Sequence, residues 1–216
     1  LPQYIVEIEG IDIHLTHLRA IPDANRPAVG YPLILTHGWP GSVLEFFDAI
    51  PRLAAHGFDV VVPSLPGYGF SGRPARPIGA EDVARMWRTL MVDHLGYKRF
   101  GAQGGDWGAS VSIALAEHHA DVVDAFHLNF LLMRGKGELS AEVAAWQAAA
   151  RKRFAGSGAY AQQMQSRPQT IGLALSDSPL GYASWVLEKY RAWSDCGGNI
   201  EASFSKDQLI TMIMTY

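Results

Sequence analysis

The run Arg99–Gln103, the turn Gly104-Gly105-Asp106-Trp107-Gly108-Ala109 and the helical stretch that follows constrain this chain more than any other feature. Extended residues enter the turn and a helical pattern leaves it at once, through Ser110 to about His118. A strand that passes straight into a helix leaves one residue at a strained corner, and small neighbours on both sides admit it. That corner residue is then exposed at the C-terminal edge of a sheet. Such a corner needs buried strands beside it, and Leu33–Thr36, Asp59–Val62, Arg99–Ala102 and Val122–Leu128 supply short, two-sided apolar runs of parallel type.

The remaining pattern completes an α/β architecture. Tyr4–Glu9 and Ile11–Leu18 alternate around Gly10, with Ile11, Ile13 and Leu15 on one face and Asp12, His14 and Thr16 on the other, as in an antiparallel hairpin. Val83, Met86, Trp87, Leu90, Met91 and Leu95 recur at helical spacing, and Gly96 supplies a stop. Ser42-x-x-Glu45 predicts a further helix opened by a capping box, with Pro51 ending or kinking it. A hairpin followed by alternating strand and helix predicts a mixed, mostly parallel sheet with helices on both faces. From about Arg134 the strand signal disappears. Helices are predicted over Ser140–Phe154, over Pro179–Trp193 with Ser178 as N-cap, and after a Ser205/Gln208 capping box. The expected organisation is a core over 1–133 and an incomplete helical lid over 134–216. The last helix stops at Tyr216 without a C-cap, and the first residue is Leu1, so the chain reads as a piece cut inside the lid.

Composition narrows the function classes. Eighteen basic against 21 acidic residues, without a basic block, give no footing for a nucleic-acid partner. No apolar run reaches the roughly 18 residues of a membrane span. The single Cys196 excludes a disulfide scaffold and a cysteine metal site, and fits a reducing, cytoplasmic compartment. Gly67-x-Gly69-x-x-Gly72 matches a dinucleotide fingerprint in letters alone. Pro66, Pro74 and Pro77 surround it and no helix opens at its last glycine, so it reads as a loop.

Aspartate at the corner selects a reaction class. A carboxylate of ordinary pKa, about 4, is ionised at neutral pH and attacks without a general base. Attack on an acyl carbon would give a mixed anhydride, a poor intermediate. Displacement at a saturated carbon gives an alkyl ester that water can cleave, and cleavage needs a base and an oxyanion hole. One hole donor is expected at the backbone N–H of Trp107, at a helix N-terminus. The other is expected from His37-Gly38-Trp39-Pro40-Gly41-Ser42, with Trp39 giving the N–H and Pro40 fixing the turn, where a cis bond is one option.

Gly-Gly-Asp106-Trp-Gly, His37-Gly-Trp-Pro-Gly-Ser42 and Pro63-Ser-Leu-Pro-Gly-Tyr-Gly-Phe-Ser71, in this order, resemble the α/β-hydrolase-fold epoxide hydrolases of the microsomal type. The similarity runs from about Tyr4 to the last residue and includes Ser176-Asp-Ser-Pro-Leu-Gly181. The resemblance implies an α/β-hydrolase fold with a helical lid. It implies Asp106 as nucleophile, a hydroxyalkyl ester intermediate, a vicinal diol product and no cofactor or metal. It implies that two lid tyrosines protonate the epoxide oxygen, the first matching Tyr160. The second tyrosine, the general-base His and its acid would fall beyond Tyr216. The implied partners are a small hydrophobic epoxide and water; a homodimer is compatible with the sequence and not fixed by it.

Plainer readings stand beside these. Asp106 could cap the following helix, Trp107 and Trp39 could line a pocket, and Tyr160, Trp146, Trp185 and Trp193 could simply pack helices. His37 reads as a brace for its loop, His118 and His119 fall at the end of the elbow helix and His127 in a strand, so none reads as the base. Cys196 reads as an inert loop thiol. The competing chemistry is haloalkane dehalogenation, which also uses an Asp elbow. A third reading is a non-catalytic binding protein on the same fold.

Overall fold

The computed structural model describes residues 1–22, 29–130, 137–153 and 158–216. Two compact units divide the chain, one of residues 1–131 with 210–216, the other of residues 132–209. The expected boundary at 133/134 and the expected helix end at Phe154 lie outside the described residues.

The first unit is built on six strands: β1 (Gln3–Ile8), β2 (Ile11–Leu18), β3 (Tyr31–Thr36), β4 (Phe58–Pro63), β5 (Phe100–Gly104) and β6 (Val123–Leu128). Their order in the sheet is β1-β2-β4-β3-β5-β6. The β1/β2 hairpin is antiparallel in the register Gln3↔Thr16 to Ile8↔Ile11, and β2 joins β4 antiparallel. The β4/β3, β3/β5 and β5/β6 pairs are parallel. Glu9 and Gly10 both take positive φ at the hairpin turn, 52° and 78°.

Side-chain alternation divides the core between the two faces of this sheet. Ile34, Val61 and Ala102 join Val83, Trp87, Val111 and Leu115, from α2 (Ala80–Arg88) and α3 (Trp107–His118), in the larger cluster. Leu35, Val60 and Val62 face the other way, toward Val43 and toward Ile50 of α1 (Ala49–Ala55). Trp87 is fully buried and spends its one polar atom well, donating Nε1–H to Thr36 Oγ1 at 3.1 Å. The helix expected through Leu95 continues from α2 as a π-helical stretch, Thr89–His94, and ends at Gly96 with φ 76°.

One expectation needs correction. Ser42 does not open a long helix but a single 3-10 turn, Val43–Phe46, with its hydroxyl accepting from Leu44 N–H at 3.3 Å. Pro51 neither ends nor kinks a helix. It lies in the first turn of α1, where a backbone N–H would have no intrahelical acceptor.

The second unit is helical. It holds α4 (Ala141–Arg153), α5 (Ala159–Ser166), α6 (Pro168–Asp177), α7 (Pro179–Trp193) and the first turn of α8 (Lys206–Met214), whose remainder from Ile210 belongs to the first unit, with a 3-10 turn at Ile200–Ala202. Ser178 caps α7 by accepting from Gly181 N–H at 3.0 Å. The capping box before α8 forms in both directions, Gln208 N–H to Ser205 Oγ at 3.2 Å and Ser205 N–H to Gln208 Oε1 at 2.8 Å. Helices α5 and α6 carry no strong apolar period in the sequence, and every one of their residues keeps some solvent exposure.

Candidate active site

The site grows from the corner between β5 and α3. Asp106 occupies it with φ 51° and ψ −123°, a conformation that only glycine adopts without strain. The glycines around it are steric necessities. A Cβ on Gly104 would stand 2.0 Å from Gly108 O, and one on Gly108 would stand 1.9 Å from Thr36 O. The helix start, the end of β5 and the end of β3 are thereby pressed into backbone contact.

Asp106 makes no side-chain capping bond to its own helix. Its Oδ1 instead accepts the backbone N–H of Trp39 at 2.9 Å, across from the loop after β3. Gly38 lies so close that a Cβ there would come within 2.4 Å of the Asp106 Cβ. Trp107 contributes one of the donors at the N-terminus of α3, which the helix itself cannot satisfy, and its residue is 54% exposed. The Trp39–Pro40 bond is cis.

His37 holds this loop from beneath. Its Nε2 accepts Leu65 N–H at 3.0 Å, which places the ring proton on Nδ1, facing Gly38 O at 3.1 Å. Burial pushes the imidazole down to about 4, against a smaller opposing effect of the Gly38 carbonyl. His37 is therefore a neutral brace. The loop Pro63–Ser71 closes the other side. Tyr68 stacks edge-on to His37 at 5.2 Å, and burial, then the Asp106 charge, pushes its phenol up to about 12. The Gly67–Gly72 segment is a turn, closed by Gly67 N–H to Gly72 O at 2.9 Å, with positive φ at Gly67 and Gly69.

The motif reading passed over Glu45. Its carboxylate lies over Gly41, where a Cβ would stand 2.7 Å from Oε2. One side keeps water contact, yet desolvation by the surrounding protein, and then the Asp106 charge, raises its carboxyl to about 7. The sequence signal was present as a capping-box glutamate; the missing Cβ at position 41 is what turns it toward the loop. Tyr216 donates its hydroxyl to Gly41 O and meets the Tyr68 ring edge-on at 5.8 Å.

Of the other expected residues, Tyr160 lies in the second unit, in the first turn of α5, with its ring 5.2 Å from that of Trp193. His118 and His119 end α3, about 17 Å from its start by helix rise. His127 is in β6, paired with Gln103. No group of three or more potential metal ligands occurs among the described residues.

A mixed sheet with a strand–turn–helix elbow, its corner side chain bonded to the loop of the neighbouring strand, defines an α/β-hydrolase architecture. A family model described as alpha/beta hydrolase fold matches residues 31–165, and one described as epoxide hydrolase N terminus matches residues 1–46. The chain belongs to the α/β hydrolase fold family. Within it, a Stigmatella aurantiaca protein provisionally named an epoxide hydrolase is 39% identical, over 100% of this chain and 51% of its own length. The crystal structure of juvenile hormone epoxide hydrolase from the silkworm Bombyx mori matches with a TM-score of 0.87 and 31% identity, covering 100% of this chain and 57% of that one. The Aspergillus niger epoxide hydrolase structure matches with a TM-score of 0.83 and 35% identity, covering 100% and 56%. The chain spans about half the length of the curated relatives it matches. No described helix is long and apolar enough to cross a membrane.

Proposed function

We propose that this chain carries the ester-forming half of an epoxide hydrolase, with Asp106 as nucleophile and the second unit as a lid that supplies Tyr160. The observation that carries the reading is the 2.9 Å bond from Trp39 N–H to Asp106 Oδ1. It leaves Oδ2 to attack. Oδ2 bonds to an epoxide carbon, the ring C–O bond breaks, and its electron pair goes to the departing oxygen. Tyr160 donates a proton to that oxygen, because an alkoxide is a poor leaving group. Oδ1 is then the ester carbonyl oxygen, already bonded to a hole donor. Cleavage of the ester then needs a general base, a role for which no described residue is assigned. The base takes a proton from water as it adds to the ester carbon, the negative charge develops on Oδ1, where the N–H groups of Trp39 and Trp107 stabilise it, and the proton passes to the departing diol oxygen. Collapse returns the carboxylate and releases the diol. The substrate is a small hydrophobic epoxide, and water is the co-substrate.

Intact-mass analysis of the folded chain after exposure to styrene oxide tests this. One adduct of the whole epoxide mass, absent from Asp106→Asn, is the expected result. An adduct formed only with haloalkanes, lacking the halogen, moves the case to dehalogenation. Formation of the epoxide adduct in Asp106→Asn removes Asp106 from the role.

A further inference from the structure

The second unit holds a buried cation that the reaction scheme does not use. Lys189, in α7, is only 5% exposed, and among the described residues no other lysine or arginine is buried. Its Nζ lies 5.1 Å from the centroid of the Tyr160 ring and 4.8 Å from that of Trp185. Glu188 pairs with it from the exposed side. Trp193 meets the Tyr160 ring at 5.2 Å with 57° between the planes. Tyr160 and Trp185 also line a groove of about 480 Å³ with Thr170, Ile171 and Ala174 of α6.

Burying an ammonium is costly unless neighbours compensate it. Ring faces do so through their negative quadrupole, and the attraction strengthens where water is excluded. The effect on the tyrosine is reciprocal. Ionisation of a phenol puts negative charge partly into its ring, so a cation on the ring face stabilises the phenolate more than the phenol. The phenol becomes a better proton donor, and contacts to the ammonium and to the Trp193 indole restrict the ring's orientation. We propose that Lys189 is a positioning residue for Tyr160, fixing its ring and strengthening it as the acid that protonates the opening epoxide. This rests on the reading of Tyr160 as proton donor. Glu188, on α7 itself, is the charged group paired with Lys189. The α6 residues lining the groove, Thr170, Ile171 and Ala174, do not titrate.

The test separates the coupling from the activity. With tyrosines labelled at the phenolic carbon, the NMR resonance missing from Tyr160→Phe identifies Tyr160, and its titration midpoint is followed. Lys189→Met should raise that midpoint by about one unit, a tenfold weaker acid, while Lys189→Arg leaves it nearly in place. Glu188→Gln, at an exposed side chain, should move it the opposite way by removing the opposing charge. Formation of the Asp106 ester should slow about tenfold in Lys189→Met, with the alkaline fall of its rate displaced to higher pH by the same shift. A midpoint unmoved in Lys189→Met, or in Glu188→Gln should Lys189→Met fail to fold, overturns the proposal. So does a shifted midpoint with an unchanged ester-forming rate. If Tyr160→Phe forms the ester at the parental rate, the proton-donor reading fails instead, and the midpoints still decide whether Lys189 governs the phenol.

Discussion

Strain at the elbow reverses the usual order of glycine and alanine. Elsewhere, glycine in place of alanine costs about 0.5–1 kcal/mol through the extra freedom of the unfolded chain. Asp106 sits at φ 51° and ψ −123°, and holding a residue with a Cβ there costs of order 1–3 kcal/mol. Asp106→Ala keeps that strain, whereas Asp106→Gly releases it. Both lose the same bond from Trp39 N–H, so that loss cancels in the comparison. The strain released less the entropic cost is about 0–2.5 kcal/mol, with a centre of about 1 kcal/mol, so the glycine variant should be the more stable by that central amount. Urea unfolding of the two variants side by side, read as midpoints at equal slope, measures the difference directly. An alanine variant as stable as the glycine one would mean the corner is relaxed, and the argument that the fold stores strain there would fail.

Gly108→Ala should be far worse than a typical substitution, because its Cβ would meet Thr36 O at 1.9 Å and neither backbone can retreat; loss of soluble folded protein, or more than about 4 kcal/mol in denaturation, is expected. Ser178→Ala should cost about 1 kcal/mol by leaving Gly181 N–H without its cap, visible as lower thermal stability of the helical unit. Trp87→Phe should cost about 1–3 kcal/mol in urea unfolding, since it empties space at a fully buried position and leaves Thr36 Oγ1 without its donor.

The elbow was legible in the sequence because its constraint is local. Gly104, Gly105 and Gly108 are required by contacts within a few residues or across one strand pair, so the letters carry the geometry. The same holds for the α7 and α8 caps, where Ser178 and Ser205 bond to residues three positions on. Ser42 misled for the opposite reason. It too looked like a cap, yet Pro51 lies nine positions on and the chain resolves the conflict by ending the first turn early and starting α1 at Ala49. Helices α5 and α6 stayed hidden because none of their residues is fully buried, and a helix without a buried stripe shows no period to read. Glu45 and Lys189 were not legible as functional candidates because spacing alone does not show burial. One depends on a missing Cβ at Gly41, the other on the Tyr160 ring that α5 brings to it, beside Trp185 four positions earlier on its own helix.

Around Asp106 two groups titrate in opposite senses. His37 has a folded value near 4 against an ordinary value of 6.5, so the unfolded chain binds more protons between the two. Stability contributed by its neutral form is whole above about 6.5 and is lost as pH falls toward 4, by roughly 2 kcal/mol between pH 7 and pH 5. Glu45 is raised from 4.5 to about 7, so the folded chain binds more protons there, and stability falls as pH rises through that range. The two slopes oppose each other over most of the interval from pH 5 to pH 6.5 and flatten the profile. Glu45→Gln removes one of them. Its stability, followed by urea unfolding, should then rise with pH more steeply than that of the parent, and an unchanged profile would refute the assignment. Asp106→Asn should lower the Glu45 midpoint while leaving it above 4.5, because the neighbouring charge is only the second cause of the shift and burial is the first. Under the proposed mechanism, conversion of Asp106 to an ester would remove the same charge. Glu45 would then shift toward its ionised form in the step that neutralises Asp106, keeping negative charge in the loop.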